Sequence, residues 1–173
     1  MKEISLYVPK LDDYWYEEKL LSDPETMEYN AGYDVSYNGY DYQTGCIAFP
    51  KDNWLAKFEN RKNNKEYFAY IKDTNIDDFV GYVYYHYNKE LNHYDCGILM
   101  EAQYRGQGYA KHTLKLLCKT AKRNGISELY DNFETKRRAA LKLFESAGFK
   151  IIKVLTWKKF NKDVSGVIMR IKL

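Results

Sequence analysis

Two glycines, Gly106 and Gly108, sit in the run Ile98-Leu99-Met100-Glu101-Ala102-Gln103-Tyr104-Arg105-Gly106-Gln107-Gly108-Tyr109-Ala110. The residues before them read as a strand, and those after Gly108 have helical spacing. Glycine has no Cβ, so the main chain can approach a ligand closely with its N–H groups exposed. The first four N–H groups of the helix after the turn have no internal partner and carry partial positive charge. A strand, a glycine turn and a helix start in that order suit the binding of phosphate or pyrophosphate. Arg105 adds a full positive charge at the rim.

Two nucleotide-site patterns can be set against this run. A P-loop needs Gly-Lys-[Ser/Thr], whereas Gly108 is followed by Tyr109. A dinucleotide fingerprint needs a third small residue where Lys111 stands, although Asp131 lies at about the distance of a ribose acceptor. Too few strand–helix units follow to build a doubly wound sheet. The three histidines (His86, His93, His112) and three cysteines (Cys46, Cys96, Cys118) form no metal-ligand pattern, so no metal is expected. No CxxC spacing occurs, and one cysteine stays unpaired in any disulfide scheme, which favours a reducing compartment.

The elements that must position the run follow from periodicity and turn signals. The chain has 173 residues, 45% hydrophobic and 29% charged, which is ordinary globular composition for one domain, residues 1–173. Lys+Arg exceeds Asp+Glu by only three, 27 against 24, too balanced to suggest a nucleic-acid partner. Met1-Lys2-Glu3-Ile4-Ser5 lacks a signal peptide's apolar run, and no stretch spans a membrane, so a cytoplasmic protein with no membrane partner is expected. Strands are predicted at 3–8, 66–72, 79–88, 92–100, 127–133, 149–158 and 164–171. Helices are predicted at 11–21, from Ser22-Asp23-Pro24 to about Asn30, and at 51–62, 107–123 and 136–147. The order gives a mixed α+β fold around one mostly antiparallel sheet flanked by helices, with one parallel crossover at 92–133.

Gln103-x-x-Gly106-x-Gly108 resembles the Gln/Arg-x-x-Gly-x-Gly/Ala motif of the GNAT superfamily of N-acetyltransferases. Ala140-Leu141-Lys142-Leu143-Phe144-Glu145-Ser146-Ala147-Gly148-Phe149 is similar to that family's second signature. The resemblance is specific over about 78–150 and only topological before that. It implies acetyl-CoA as co-substrate, held where the strands at 92–100 and 127–133 splay apart. Pantetheine amides are then expected along Ile98, Leu99 and Met100. The pyrophosphate is expected on the loop from Gln103 through Arg105, Gly106, Gln107, Gly108, Tyr109 and Ala110. An N–H near Cys96 to Ile98 is expected to polarise the thioester carbonyl. The implied function is acetyl transfer to a primary amine, on a small molecule or a peptide, by direct attack in a ternary complex. The alternative is a module of this fold that binds CoA without turnover.

This sequence departs from the family at several positions. Phe144 replaces a tyrosine that protonates the leaving thiolate in many relatives, and a phenyl ring has no proton to give. Either another tyrosine acts, or the thiolate (thiol pKa about 8.5) leaves unassisted. Arg137 stands where many relatives have an asparagine among the cofactor contacts, and an arginine there could reach a CoA phosphate. The positions matching familial glutamate bases hold Asn92 and Asn132, so Tyr94 or Asp95, acting through water, is the expected base, with His93 and Glu134 as titratable neighbours. The tyrosine-rich segment Tyr29–Tyr42 falls in the substrate loop. With Glu28, Asp34 and Asp41 it would suit a cationic amine. Tyr33, Asp34 and Asn132 are the expected substrate contacts, and the strands at 149–171 are candidate homodimer edges.

Overall fold

A computed structural model describes residues 3–173. Along the chain lie β1 (Ile4–Tyr7), α1 (Trp15–Ser22), α2 (Pro24–Met27), α3 (Trp54–Asn63), β2 (Tyr67–Asp73), β3 (Asp78–Asn88), β4 (His93–Met100), α4 (Tyr109–Arg123), β5 (Glu128–Glu134), α5 (Arg138–Ala147), β6 (Lys150–Lys159) and β7 (Lys162–Lys172). Seven strands form one sheet in the order β1-β2-β3-β4-β5-β7-β6. Only β4 and β5 run parallel, joined by the crossover that contains α4. The expected mixed, mostly antiparallel sheet flanked by helices is the observed one; strand ends shift by one or two residues, while α1 and α3 start four and three residues later than expected and α2 ends three earlier, with 3-10 turns at 11–14, 51–53 and 28–30. The last strand inserts between β5 and β6, which neither strand's sequence encodes. Asn92, expected within a strand, lies instead in the β3–β4 turn with φ of 53°.

Each helix forms for a local reason and buries a definite face. Asp23 caps α2 by accepting from the amides of Glu25 and Thr26, with Pro24 at the first position. Leu114, Leu117 and Ala121 recur at helical spacing on α4 and are fully buried. Gly125 and Gly148, at φ of 80° and 102°, take the left-handed conformation that ends α4 and α5. One core lies between the sheet and α4 and α5, and includes Val83, Cys96, Leu129, Phe133 and Phe144. The other lies beneath α1–α3 and is largely aromatic, with Tyr14, Tyr16, Trp54, Phe68, Tyr70 and Tyr82. On α3, Trp54 is buried and Leu55 exposed; Arg61 takes an inward position.

Arg61 is buried with its guanidinium 3.5 Å from the Phe68 ring centroid, and both terminal nitrogens reach Glu17 at 2.7 Å. Glu66 also lies 3.5 Å from this guanidinium, so removing Glu17 takes away its two closest bonds and leaves a desolvated charge poorly compensated. Glu17→Leu is expected to lower the unfolding free energy by about 3 kcal/mol in urea titration, with most of that recovered in Glu17→Leu/Arg61→Met.

Candidate functional site

The site begins where the sheet opens. β4 and β5 share one ladder pair, Asp95 with Tyr130, and then diverge. The Glu101 amide donates to the Val80 carbonyl at 3.0 Å, and β3–β4 pairing is regular from Gly81/Met100 to Asn88/His93. Antiparallel alternation therefore turns the backbone groups of Leu99 toward β3 and those of Ile98 and Met100 toward the gap. An extended ligand with amides of its own fits that edge, because backbone polar groups need partners. Leu99 supports the strand from behind, with its side chain in the aromatic core.

The strand runs into the glycine turn. Gly106 and Gly108 have φ of 72° and 87°, which side-chain-bearing residues adopt only with strain, and Gly108 caps α4. A Cβ added to either would meet nothing within 4 Å, so the space in front of both is open. The first-turn amides of α4, at Tyr109, Ala110 and beyond, lie at the positive end of a fifteen-residue helix. The turn has the form of an anion cradle, with the residues that the sequence assigned to it brought together.

Its polar side chains mostly face the other way. Gln103 donates to Glu101 at 2.5 Å, and Gln107 donates to the Gln103 carbonyl at 2.8 Å. Arg105 donates to the carbonyls of Thr26 (2.7 Å) and Glu25 (3.1 Å), and lies 3.3 Å from Glu28. Tyr109 donates to Asp73 at 2.7 Å in the core. Buried Glu101 also receives Tyr16 and Lys19, at 3.0 and 2.8 Å. These contacts strap the turn to α1 and α2 and leave its main chain to meet a ligand.

The expected base residues lie at the closed end of the gap. Tyr94 faces α4 and α5 among aromatic neighbours Tyr85 and Tyr87, whereas Asp95 leaves the opposite face. Asp95 receives Asn88 at 2.7 Å and pairs with His93 at 2.8 Å, whose ring stacks on Tyr130. The residue that sequence reasoning passed over is Asp131, the first position of β5 beyond the ladder pair. Half-buried, it has no ion-pair partner among the described residues. Burial raises its carboxyl to about 8, with Asp95 adding to the rise and Arg137 and the Asn132 amide opposing it. The only sequence signal for it was its spacing from the glycines, which pointed to a ribose. Phe144 packs on Phe133 and Phe149, buried in the core.

The tyrosine segment divides. Tyr29 lies beside the gap, its hydroxyl raised to about 12, chiefly by burial, and interacting with Arg137 and Asp131. Tyr33 donates to Glu134 at 2.8 Å. Tyr37 packs on Tyr40, and Tyr42 packs on Phe160. Asp34 and Asn132 are exposed, Asn132 on the same face of β5 as Glu134. Asp41 caps a turn through Gln43 and Thr44, and Glu28 faces Arg105. Glu134 also holds buried Lys159 at 2.8 Å and Lys136 at 2.9 Å. Burial raises its carboxyl, but Lys159, Lys136 and Tyr33 outweigh this and hold it at about 2. The depressed value makes this stabilisation complete above the ordinary 4.5, and it is lost as pH falls toward about 2. Thermal melts across that range should show a decline in stability that Glu134→Gln lacks, the variant being less stable at neutral pH.

Three comparisons bear on this geometry. The family model described as Acetyltransferase (GNAT) family matches residues 16–149. The Bacillus subtilis (strain 168) protein called Uncharacterized N-acetyltransferase YycN is 34% identical over 90 residues, which is 49% of this chain and 56% of that one, so the match spans little more than half of the relative. The spermidine N-acetyltransferase of Vibrio cholerae, solved with CoA and spermine, superposes with a TM-score of 0.77 at 16% identity, over 98% of this chain and 95% of that one. A phosphinothricin acetyltransferase of Sinorhizobium meliloti, solved with AcCoA, gives 0.76 at 13% identity, over 98% and 88%. At such identities the superpositions speak for the fold. With the family model matched over most of its length, and strand splay and glycine turn where the motif puts them, the chain belongs to the GNAT acetyltransferase family.

Proposed function

We propose that this protein is an acetyl-CoA-dependent N-acetyltransferase that moves an acetyl group to a primary amine by direct attack, with donor and acceptor bound together. One observation carries the reading: a strand edge with outward backbone groups at Ile98 and Met100 leads into an open glycine cradle at a helix start. An acyl donor built as an amide-bearing arm on a diphosphate has those two features in that order. The amides between Gly106 and Ala110 hold the diphosphate, and the β4 edge holds the arm. The donor supplies an activated acetyl carbonyl. The Ile98 N–H, beyond the ladder pair, lies where it would stabilise negative charge on that oxygen.

Asp131 is the proposed base. It stands where the gap begins, just past the ladder pair, while Asp95 is engaged by Asn88 and His93. Its carboxylate takes a proton from the acceptor ammonium, directly or through a water, and frees the nitrogen lone pair. A carboxyl held near 8 suits an amine, because a stronger base than an ordinary carboxylate shares the proton more evenly. No tyrosine replaces Phe144 in its position, and a thiolate with a conjugate acid near 8.5 leaves without one. The acceptor is a small-molecule or peptide amine. Three free cysteines fit a reducing cytoplasm, and no helix among the described residues is long and apolar enough to cross a membrane. The outer strand β6, with Ile151, Ile152 and Val154 exposed, is the proposed edge of a homodimer.

Calorimetry with acetyl-CoA and a thiol assay of CoA release with amines test the reading. Binding with amine-dependent release supports it, binding without release leaves a CoA-binding module, and no binding removes both. Gly108→Val, which forces a branched residue to φ of 87° and fills the cradle, is expected to weaken acetyl-CoA binding at least tenfold. Asp131→Asn is expected to reduce kcat by about 10²- to 10⁴-fold with acetyl-CoA affinity unchanged. Because the base acts unprotonated, kcat/KM should rise with pH up to about 8, and the variant should lack that limb.

A further inference from the structure

Among the described residues, Arg137 is the one half-buried arginine in the cleft without a counter-charge. It precedes α5, with its guanidinium 4.8 Å from the Tyr29 ring centroid and 5.8 Å from that of Phe133. Among the described residues, no carboxylate lies within ion-pair distance of it and no acceptor takes its N–H groups. Arg61, Arg105 and Arg170, by contrast, each have a carboxylate partner. A guanidinium resting against aromatic rings spends none of its N–H donors on a charged partner there, and a carboxylate can match its fork with two parallel hydrogen bonds.

The neighbouring charges narrow the choice. Asp131 interacts electrostatically with Arg137 but lies beyond ion-pair distance. The gap thus presents an unpaired guanidinium and, near it, an unpaired carboxyl that becomes anionic as it gives up its proton. Buried Lys159, 5.0 Å from the Tyr33 ring centroid, is neutralised by Glu134 at 2.8 Å and leaves Arg137 as the uncompensated cation there. The carboxylates that would hold the far end of a polyamine are engaged: Glu28 by Arg105, Asp41 by its own turn, and Glu134 by two lysines.

We propose that the acceptor is an amino acid in its zwitterionic form, with Arg137 holding the carboxylate and Asp131 facing the adjacent ammonium. This rests on the acetyltransferase reading and names its substrate class. An α-amino acid carries its two charges a few bonds apart with opposite sign, the mirror of the Asp131–Arg137 arrangement. A diamine would bring its second ammonium against Arg137.

The test uses the full chain saturated with CoA and titrated calorimetrically with the standard amino acids, each beside its carboxamide, and with putrescine and spermidine. The same compounds are run with acetyl-CoA in the thiol assay. The proposal expects at least one amino acid to bind and turn over, with its carboxamide at least tenfold weaker in Kd and kcat/KM. In Arg137→Gln the KM for that amino acid should rise at least tenfold, with the KM for acetyl-CoA within about twofold, and Arg137→Lys should recover part of the loss. The comparison of acid with amide uses the unaltered protein, so it holds whatever the variants do to folding. Equal binding of acid and amide, preference for a diamine, or absence of amino-acid binding would overturn the proposal. CoA release with diamines alone would overturn it while leaving acetyl transfer standing. Carboxylate-dependent binding without CoA release would uphold the Arg137 site and remove the transferase reading.

Discussion

A parallel strand pair held at one position shapes the rest of this molecule. β4 is bonded to β3 along its whole length, so it cannot follow β5 away. β5 is bonded to β7 from Glu128 to Glu134 and is equally committed. Between them, past Asp95 and Tyr130, a row of backbone donors and acceptors faces a gap. Such groups are costly to leave without partners, so the gap either fills with water or accepts an extended ligand. The fold therefore creates a strand-shaped binding edge in the middle of a sheet, where side chains from both faces reach it.

The glycine turn works only if it stays open, and the protein commits its polar side chains to that. Arg105 and Ala102 grip α2 through the carbonyls of Glu25 and Thr26 and the Thr26 hydroxyl. Glu101 gathers Tyr16, Lys19 and Gln103. Side chains that look like ligand contacts in sequence thus act as braces, and in the proposed function recognition falls to the main chain. Main-chain recognition suits a diphosphate, whose charge is spread over several oxygens and matched by several amides at a helix start.

Two carboxylates three residues apart on β5 end with opposite shifts, although burial pushes both upward. Glu134 lies under lysines and a tyrosine hydroxyl, which overcome its desolvation and keep it ionised. Asp131 is desolvated without such partners and is raised. Glu134 with Lys159 ties β5 to the tip of the β6–β7 hairpin, and Lys159 reaches on to the Tyr29 carbonyl. That network holds the tyrosine loop against the sheet, with Gly32 donating to the Tyr42 carbonyl and accepting from the Phe160 amide. The paired carboxylate braces the loop, and the unpaired one is the base of the proposed transfer.

Local sequence determined the elements and the turn. Helical spacing at Leu114, Leu117 and Ala121, the Asp23-Pro24 start of α2 and the glycine stops of α4 and α5 are short-range signals, and they appear where their residues lie. The cradle was legible for the same reason: it is a strand, a turn and a helix start in consecutive residues, with φ values only glycine takes easily. What tertiary structure decided is which charges meet. Asp131 and Asp95 both lie on strands, and nothing local distinguishes the one that pairs with Asn88 and His93 from the one left at the open gap. Glu28 and Arg105 read as ligand groups until folding brings them to each other, and Arg137 reads as a surface cation until Tyr29, more than a hundred residues earlier, comes beneath it. Elements arise from neighbours along the chain, whereas the charge of a site is what remains after contacts between distant segments have been made.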